Sequence, residues 1–358
     1  MSQRMIDQFM EMVQIDSESG NEADFIQYLK KEFDALGAQA QVDGYGNLIA
    51  HLPEKGCTGK EPILLSCHAD TVKPGVGIEP VLKDGVIRSK GNTILGADDK
   101  AGIAELLEAL RTADIHPPVE VAISRQEEVG LHGVKNMDYS LISARKGFLL
   151  DNDTLDTIVI GGPSYYAMDV EVTGRAAHAG MEPEKGINAI QAAAMAIAAL
   201  PLGRLDNETT ANVGVINGGM IRNGVPDRAE FLAECRSLDH AKAEGLAERM
   251  EQTIRAEVAK AGAEVKITTD NLCRAVDIPE DAETVEISKK ALKSVGIDAE
   301  TTYITGFTDA SIYNNQGIEM AVVGIGARLE HSTEEHIHVE DMEKALGMVK
   351  EILRLTAQ

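Results

Sequence analysis

Apolar residues recur at helical spacing over 3–14 and 22–36. The second stretch opens after Asn21, a residue type favoured at helix caps, and closes at Gly37. Strands are predicted at 38–42 and 48–52, on either side of the turn Gly44-Tyr45-Gly46-Asn47. The run PILLSC (62–67) is short and continuously apolar, the pattern of a strand buried on both faces. A helix follows Asp98-Asp99 with apolar residues at Ile103, Leu106, Leu107 and Leu110, and the strands VEVAISR (119–125) and GFLL (147–150) come after it. This alternation predicts an α/β fold whose mostly parallel sheet lies between helices.

Near residue 163 the period changes. YYAMDVEVTGR (165–175) alternates like a half-exposed antiparallel strand and leads to an Ala-rich helix at 187–199. Strands at 210–217 and 227–236, a charged helix at 240–261 and a strand at 263–269 complete an α+β pattern. After Pro279 the α/β pattern resumes, with a helix at 281–295, a Gly-rich turn at 305–309, the strand MAVVGIG and a final helix at 340–356. Residues 1–163 and 275–358 therefore read as two parts of one α/β domain. Residues 164–274 read as an inserted α+β domain of about 110 residues, within the usual domain range.

The acidic balance removes whole classes of partner. Fifty-eight Asp and Glu against 34 Lys and Arg give a formal charge of -24, which excludes nucleic acid and anionic membranes, since both need basic patches to meet phosphate. No run reaches the ~18 apolar residues of a membrane span. The start, MSQRMIDQFMEMVQ, is amphipathic and lacks the apolar core of a signal peptide. Cys57, Cys67, Cys235 and Cys273 form no CxxC pair, so reduced thiols in a cytoplasmic protein are expected. The segment GNTILGADDK lacks the spacing of a phosphate loop and places carboxylates where phosphates would sit.

Candidate chemistry gathers at predicted strand ends. His68 and Asp70 follow PILLSC; residues two apart on a strand face the same way, so Asp70 could orient the imidazole while its other nitrogen binds a metal. Alone, the triplet fits a structural histidine equally well. Asp98 and Asp99 sit in a Gly-bounded turn entering a helix, where capping explains one carboxylate more readily than two. Glu127 and Glu128 close VEVAISR; one can ligate metal while its neighbour acts as general base, or both can be a solvated strand end. Asp151 and Asp153 follow GFLL and compete for one position, Asp151 being directly after the strand. His331, His336 and His338 lie in a late loop, as ligands or as a polar surface. Taken together the set suits a pair of metal ions activating water, held at the carboxyl ends of strands in an open α/β sheet.

At these residues the chain resembles the family of two-metal exopeptidases that includes peptidase T, dipeptidases, aminoacylases and glutamate carboxypeptidase. The stretches are SCHADTV (66–72), GADDKAGIA (96–104), SRQEEVGLHG (124–133), GFLLDND (147–153), GRAAHAG (174–180), IRNGVPDRAEF (221–231), GFTDASI (306–312) and EHSTEE (330–335). They span nearly the whole chain, and GADDKAG and QEEVGLHG are most similar to peptidase T, a tripeptide aminopeptidase. The resemblance implies two divalent ions, zinc foremost with cobalt or manganese as alternatives. Asp98 would bridge them, His68 and Asp151 would complete one, and Glu128 and His331 the other. Glu127 would be the general base, Asp70 would orient His68, and a cis peptide would follow Asp98, leaving Asp99 without a ligand role. The inserted domain would be a lid and the dimerisation domain of a homodimer, with His178 stabilising the oxyanion in its own or the partner's site. Arg236 and Asn223 would anchor the substrate, although a surface ion pair is the ordinary fate of an arginine.

The expected activity is hydrolysis of short peptides. Deacylation of N-acyl amino acids or dipeptide hydrolysis on the same fold is the alternative. A non-catalytic metal-binding module would be marked by a missing base or ligand, and none is missing here.

Overall fold

The structure is a computed structural model that describes residues 2–358. The chain divides into two compact units, one ending at Gly161 and resuming as Asp277–Gln358, the other Gly162–Val276.

The first unit is built on a nine-stranded sheet. Its order runs Gln39–Val42, Leu48–Leu52, Val119–Ser124, Ile63–His68, Lys146–Asn152, Glu319–Gly324, Thr157–Gly162, Val276–Asp277, and Glu300–Tyr303 pairs with Thr157–Gly162 off this path. The four central strands of this path are mutually parallel. Leu48–Leu52 joins Val119–Ser124 antiparallel, and Thr157–Gly162 joins Glu319–Gly324 antiparallel, so the expected parallel sheet is the centre of a mixed one. Ile63–His68 is buried at every position, which is why its sequence shows no alternation.

Helices cover both faces. Cys67 lies beside Asp99 at the start of helix Ala97–Thr112. The neighbouring Ser66 turns the opposite way, with its Oγ 3.0 Å from the hydroxyl of Tyr313 in helix Asp309–Asn315, as strand alternation requires. Helix Ala97–Thr112 is buried from Ala101 through Leu110 and packs between Gln3–Met12 and Val339–Thr356. Gly102 makes this possible: a Cβ there would lie 2.3 Å from Asp99 Oδ1 and 2.9 Å from the Leu150 carbonyl. Helix Ala23–Ala35 ends as expected, with Gly37 at φ 84 and its N–H on the Asp34 carbonyl. Its start differs. The cap position is Glu22 rather than Asn21 and makes no side-chain cap bond, because its carboxylate accepts from Arg125 Nε at 2.8 Å.

The second unit is a five-stranded antiparallel sheet ordered Gly203–Arg204, Thr209–Gly218, Arg228–Ser237, Ser164–Thr173, Glu264–Cys273. Met168, Val170 and Val172 are buried while Asp169, Glu171 and Thr173 are exposed, the alternation visible in the sequence. The buried side packs against helices Ala189–Ala199 and His240–Lys260 through Phe231, Leu246, Met250 and Ile254. Asn188 and Asp239 cap these helices, accepting from the N–H groups of Gln191 and Lys242 at 3.0 and 3.1 Å.

Among the described residues no helix is long and apolar enough to cross a membrane.

Candidate metal centre

The parallel strands of the first unit end at one edge, and the polar residues that follow them converge there. His68 is the last residue of its strand, Asp151 is the penultimate residue of Lys146–Asn152, Glu127 and Glu128 follow Ser124, and His331 follows Glu319–Gly324. Asp98 enters from the head of helix Ala97–Thr112. Its φ/ψ of -80/106 and that of Asp99 at -116/24 are non-helical, and the peptide bond between them is cis. Neither is spent on capping: Asp99 Oδ2 accepts from the His68 main-chain N–H at 3.0 Å.

The Asp98 carboxylate stands between two imidazoles. Its Oδ1 is 3.1 Å from His68 Nε2 and its Oδ2 is 3.2 Å from His331 Nε2. Asp151 Oδ1 is 3.5 Å from His68 Nε2, and Glu128 Oε1 is 2.9 Å from His331 Nε2. Two atoms ~2.0–2.2 Å from one tetrahedral ion lie about 3.3–3.6 Å apart, close to these separations. Donor atoms of His68, Asp98 and Glu128, and again of His68, Asp99 and Asp151, lie within 4.8 Å of one another. Carboxylates outnumber histidines in this largely buried space, an excess of negative charge that divalent cations would neutralise. The donor set, nitrogen and oxygen without thiolate, suits zinc, cobalt or manganese.

Protonation follows the same geometry. Burial opposes charge on Asp98, yet hydrogen bonds from His331 and His68 hold its carboxyl well below the usual range. Hydrogen bonds to Asp98 and Glu128 push His331 up to about 10. Asp151 is pushed up to about 7 by burial and by the charges of Asp98 and Glu128, against the pull of His68. Burial, then the charges of Asp151, Asp309 and Glu128, raises Glu127 well above an ordinary carboxyl. Metal binding at these imidazoles would compete with protons, since a ligating histidine must be neutral.

The placement of Asp70 differs from the expectation. His68 Nδ1 meets the main-chain carbonyl of Asp70 at 2.9 Å, while the nearest Asp70 carboxylate oxygen stands 3.6 Å away, beyond a hydrogen bond. The carboxylate instead accepts from the Glu127 and Glu128 N–H groups at 2.9 and 3.2 Å and from Ser19 Oγ at 2.7 Å. One residue thereby fixes the ring through its backbone and the two glutamates through its side chain. Ser19 carries no sequence signal of this role, since nothing local links it to residues beyond 66. The Asp99 carboxylate, expected to have no ligand role, belongs to one donor cluster. Asp153 is exposed, whereas the Asp151 side chain is only 10% exposed and faces His68. His336 and His338 lie on a short strand paired with Val86–Ser89 rather than in a loop.

A cavity of about 470 Å³ adjoins Asp151, walled by Val159, Tyr303 and the turn Gly306-Phe307-Thr308. Its size suits a small organic group.

In the second unit, His178 and Asn223 are brought together. His178 pairs with Gly224 on a two-stranded ribbon, and the Ala179 N–H donates to the Asn223 carbonyl at 3.0 Å. Both side chains are exposed. Arg236 does not join them. It lies eight residues along its strand from Arg228, about 26 Å at ~3.3 Å per residue, away from the end at which the ribbon leaves the sheet. There it bonds Glu234 at 2.8 Å and covers the Tyr165 ring at 4.4 Å.

Residues 164–262 match the model of the peptidase dimerisation domain of M20 enzymes, and residues 47–182 match that of peptidase family M28. The chain is 36% identical to the uncharacterized protein YqjE of Bacillus subtilis, covering 99% of both. It superposes on the crystal structure of aminopeptidase PepT from Bacillus cereus with a TM-score of 0.91 at 36% identity, covering 99% of this chain and 98% of that one. A tripeptidase from Staphylococcus aureus gives 0.93 at 32% identity with the same coverage.

Proposed function

We propose, from the premise that this chain belongs to the M20 family of metallopeptidases, that it is a two-ion aminopeptidase of short peptides, tripeptides foremost. The observation that carries this reading is the Asp98 carboxylate with one oxygen on His68 and the other on His331. Asp98, His68 and Asp151 would hold one ion and Asp98, Glu128 and His331 the other. Zinc is the metal proposed, with cobalt or manganese as substitutes. When bound, the ions polarise the scissile carbonyl and acidify the attacking water.

The remaining work belongs to side chains. Glu127, largely buried and with raised proton affinity, takes a proton from the water and returns it to the leaving amine. Asp70 holds the Glu127 main chain and the His68 ring in register. His178 and Asn223, neighbours on the ribbon, contact the substrate: the imidazole stabilises the oxyanion, and the amide anchors the peptide. Arg236, held 2.8 Å from Glu234 and over the Tyr165 ring, anchors the substrate carboxylate, a grip to which a guanidinium is suited.

We assign the second unit to homodimerisation. The matched dimerisation model supports this, as do the exposed side chains of Val215, Ile216 and Leu232 on its sheet. A cytoplasmic site accords with four free cysteines.

The test is hydrolysis of a tripeptide panel by metal-stripped protein, before and after titration with zinc, cobalt and manganese, with free and N-acetylated termini. Activity that returns with two ions per chain and needs a free N-terminus is expected. Preference for acylated substrates would move the function to an N-acyl amino acid deacylase.

A further inference from the structure

We propose that Glu335 is a positioning residue that clasps the His331 turn to the Asp98 turn and so sets the affinity of the ion held by His331 and Glu128. The inference rests on the two-ion reading above. Glu335 is 2% exposed and receives four consecutive main-chain N–H groups. Its Oε2 accepts from Leu95 and Gly96, each at 2.7 Å, and its Oε1 from Ala97 at 2.7 Å and Asp98 at 3.2 Å. These amides precede the regular helix and have no carbonyl one turn back to receive them. The carboxylate satisfies them all at once, a backbone nest closed around a single anion.

The other end of the clasp is the turn that carries His331. The Glu335 N–H donates to the Ser332 carbonyl at 3.2 Å, and Ser332 Oγ donates to the Leu329 carbonyl at 2.6 Å. Leu329 and His331 adopt φ of 56 and 57, left-handed backbone that non-glycine residues keep only where the surroundings impose it. The His331 side chain is 55% exposed, so packing on the ring does little to place it. Its position depends on the turn, and the turn is anchored at Glu335. The circuit closes through Asp98, whose N–H lies on Glu335 and whose Oδ2 faces His331 Nε2 at 3.2 Å. His68 has separate supports, its own strand and the Asp70 carbonyl. Loss of the clasp should therefore fall on one ion more than on the other.

The experiment titrates Zn²⁺ calorimetrically into metal-stripped full-length protein, comparing the parent with Glu335→Gln and Glu335→Asp. Glutamine keeps the size but turns an amide NH₂ toward two N–H donors; aspartate keeps the charge but shortens the reach. One ion should bind ~10–100-fold more weakly in Glu335→Gln, the range seen when an outer support of a ligand is lost, while the other stays within about 3-fold. Glu335→Asp should fall between parent and Gln. Parental affinity for both ions in both variants, whatever their thermal stability, would overturn the assignment, and so would equal weakening of the two ions. If neither variant folds, amide hydrogen exchange on the metal-stripped parent decides: slow exchange at Leu95–Asp98 supports the clasp, and loop-like fast exchange refutes it. A parent that binds no pair of ions would instead sink the two-ion reading, so the two failures are distinguishable.

Discussion

Replacing Glu127 by glutamine isolates the proton-transfer step. The Glu127 hydrogen bond to Asp70 Oδ1 at 2.9 Å is made by its main-chain N–H, so the substitution leaves that support in place. The side chain is 8% exposed, and glutamine fills the same volume. The donor groups of His68, Asp98, Glu128, Asp151 and His331 are untouched, so two ions per chain should still bind. General-base catalysis contributes ~10²–10⁴-fold, about 3–5 kcal/mol at 1.36 kcal/mol per decade. The expected loss of kcat is therefore ~10²–10⁴-fold. KM should change little, since the amide removes no proposed substrate contact. The assay is release of free amine from a tripeptide at saturating substrate, with bound metal counted on the same sample. A kcat within about tenfold of the parent at two ions per chain would refute Glu127 as the base. Loss of an ion would make it a ligand instead.

Asp98→Asn should lower the affinity for both ions, because one carboxylate faces both histidines; equilibrium dialysis showing two tightly held ions would remove the bridging role. Asn188→Ala should destabilise the second unit by about 1 kcal/mol through loss of the cap on the Gln191 N–H, read from denaturant unfolding. Thiol titration with a disulfide reagent at pH 8 should label Cys57 alone in the native protein, because Cys67, Cys235 and Cys273 are buried. Burial and the charge of Glu234 push the Cys235 thiol up to about 12, so it should react only on unfolding.

Local pattern carried much of the architecture. The continuous apolar run became Ile63–His68, buried throughout, and the alternation over 165–175 became Ser164–Thr173 with one face inward. Pattern was silent where elements are short or lie at an edge. Pro80–Lys83, Val86–Ser89 and Glu300–Tyr303 are four-residue strands, too brief for a period to emerge. Helix Asp309–Asn315 grows from what reads as a Gly-rich turn. It is held by tertiary contacts such as the pairing of Tyr313 with Ser66, not by periodicity.

The sequence by itself determined the kinds of element and the kinds of donor: histidines and carboxylates immediately after buried strands, where a parallel sheet opens its carboxyl edge. Residues a few positions apart share one local geometry, so such statements need no knowledge of the rest of the chain. Tertiary structure alone decided which donors meet. Asp98 and His331 are 233 residues apart, and the parallel register of Glu319–Gly324 beside Lys146–Asn152, with Glu335 on the Asp98 turn, brings them together. The parallel register of Ile63–His68 on Val119–Ser124 sets the Asp70 carboxylate against the Glu127 N–H. Side-chain direction at a site depends on packing between distant segments, and no local period encodes it.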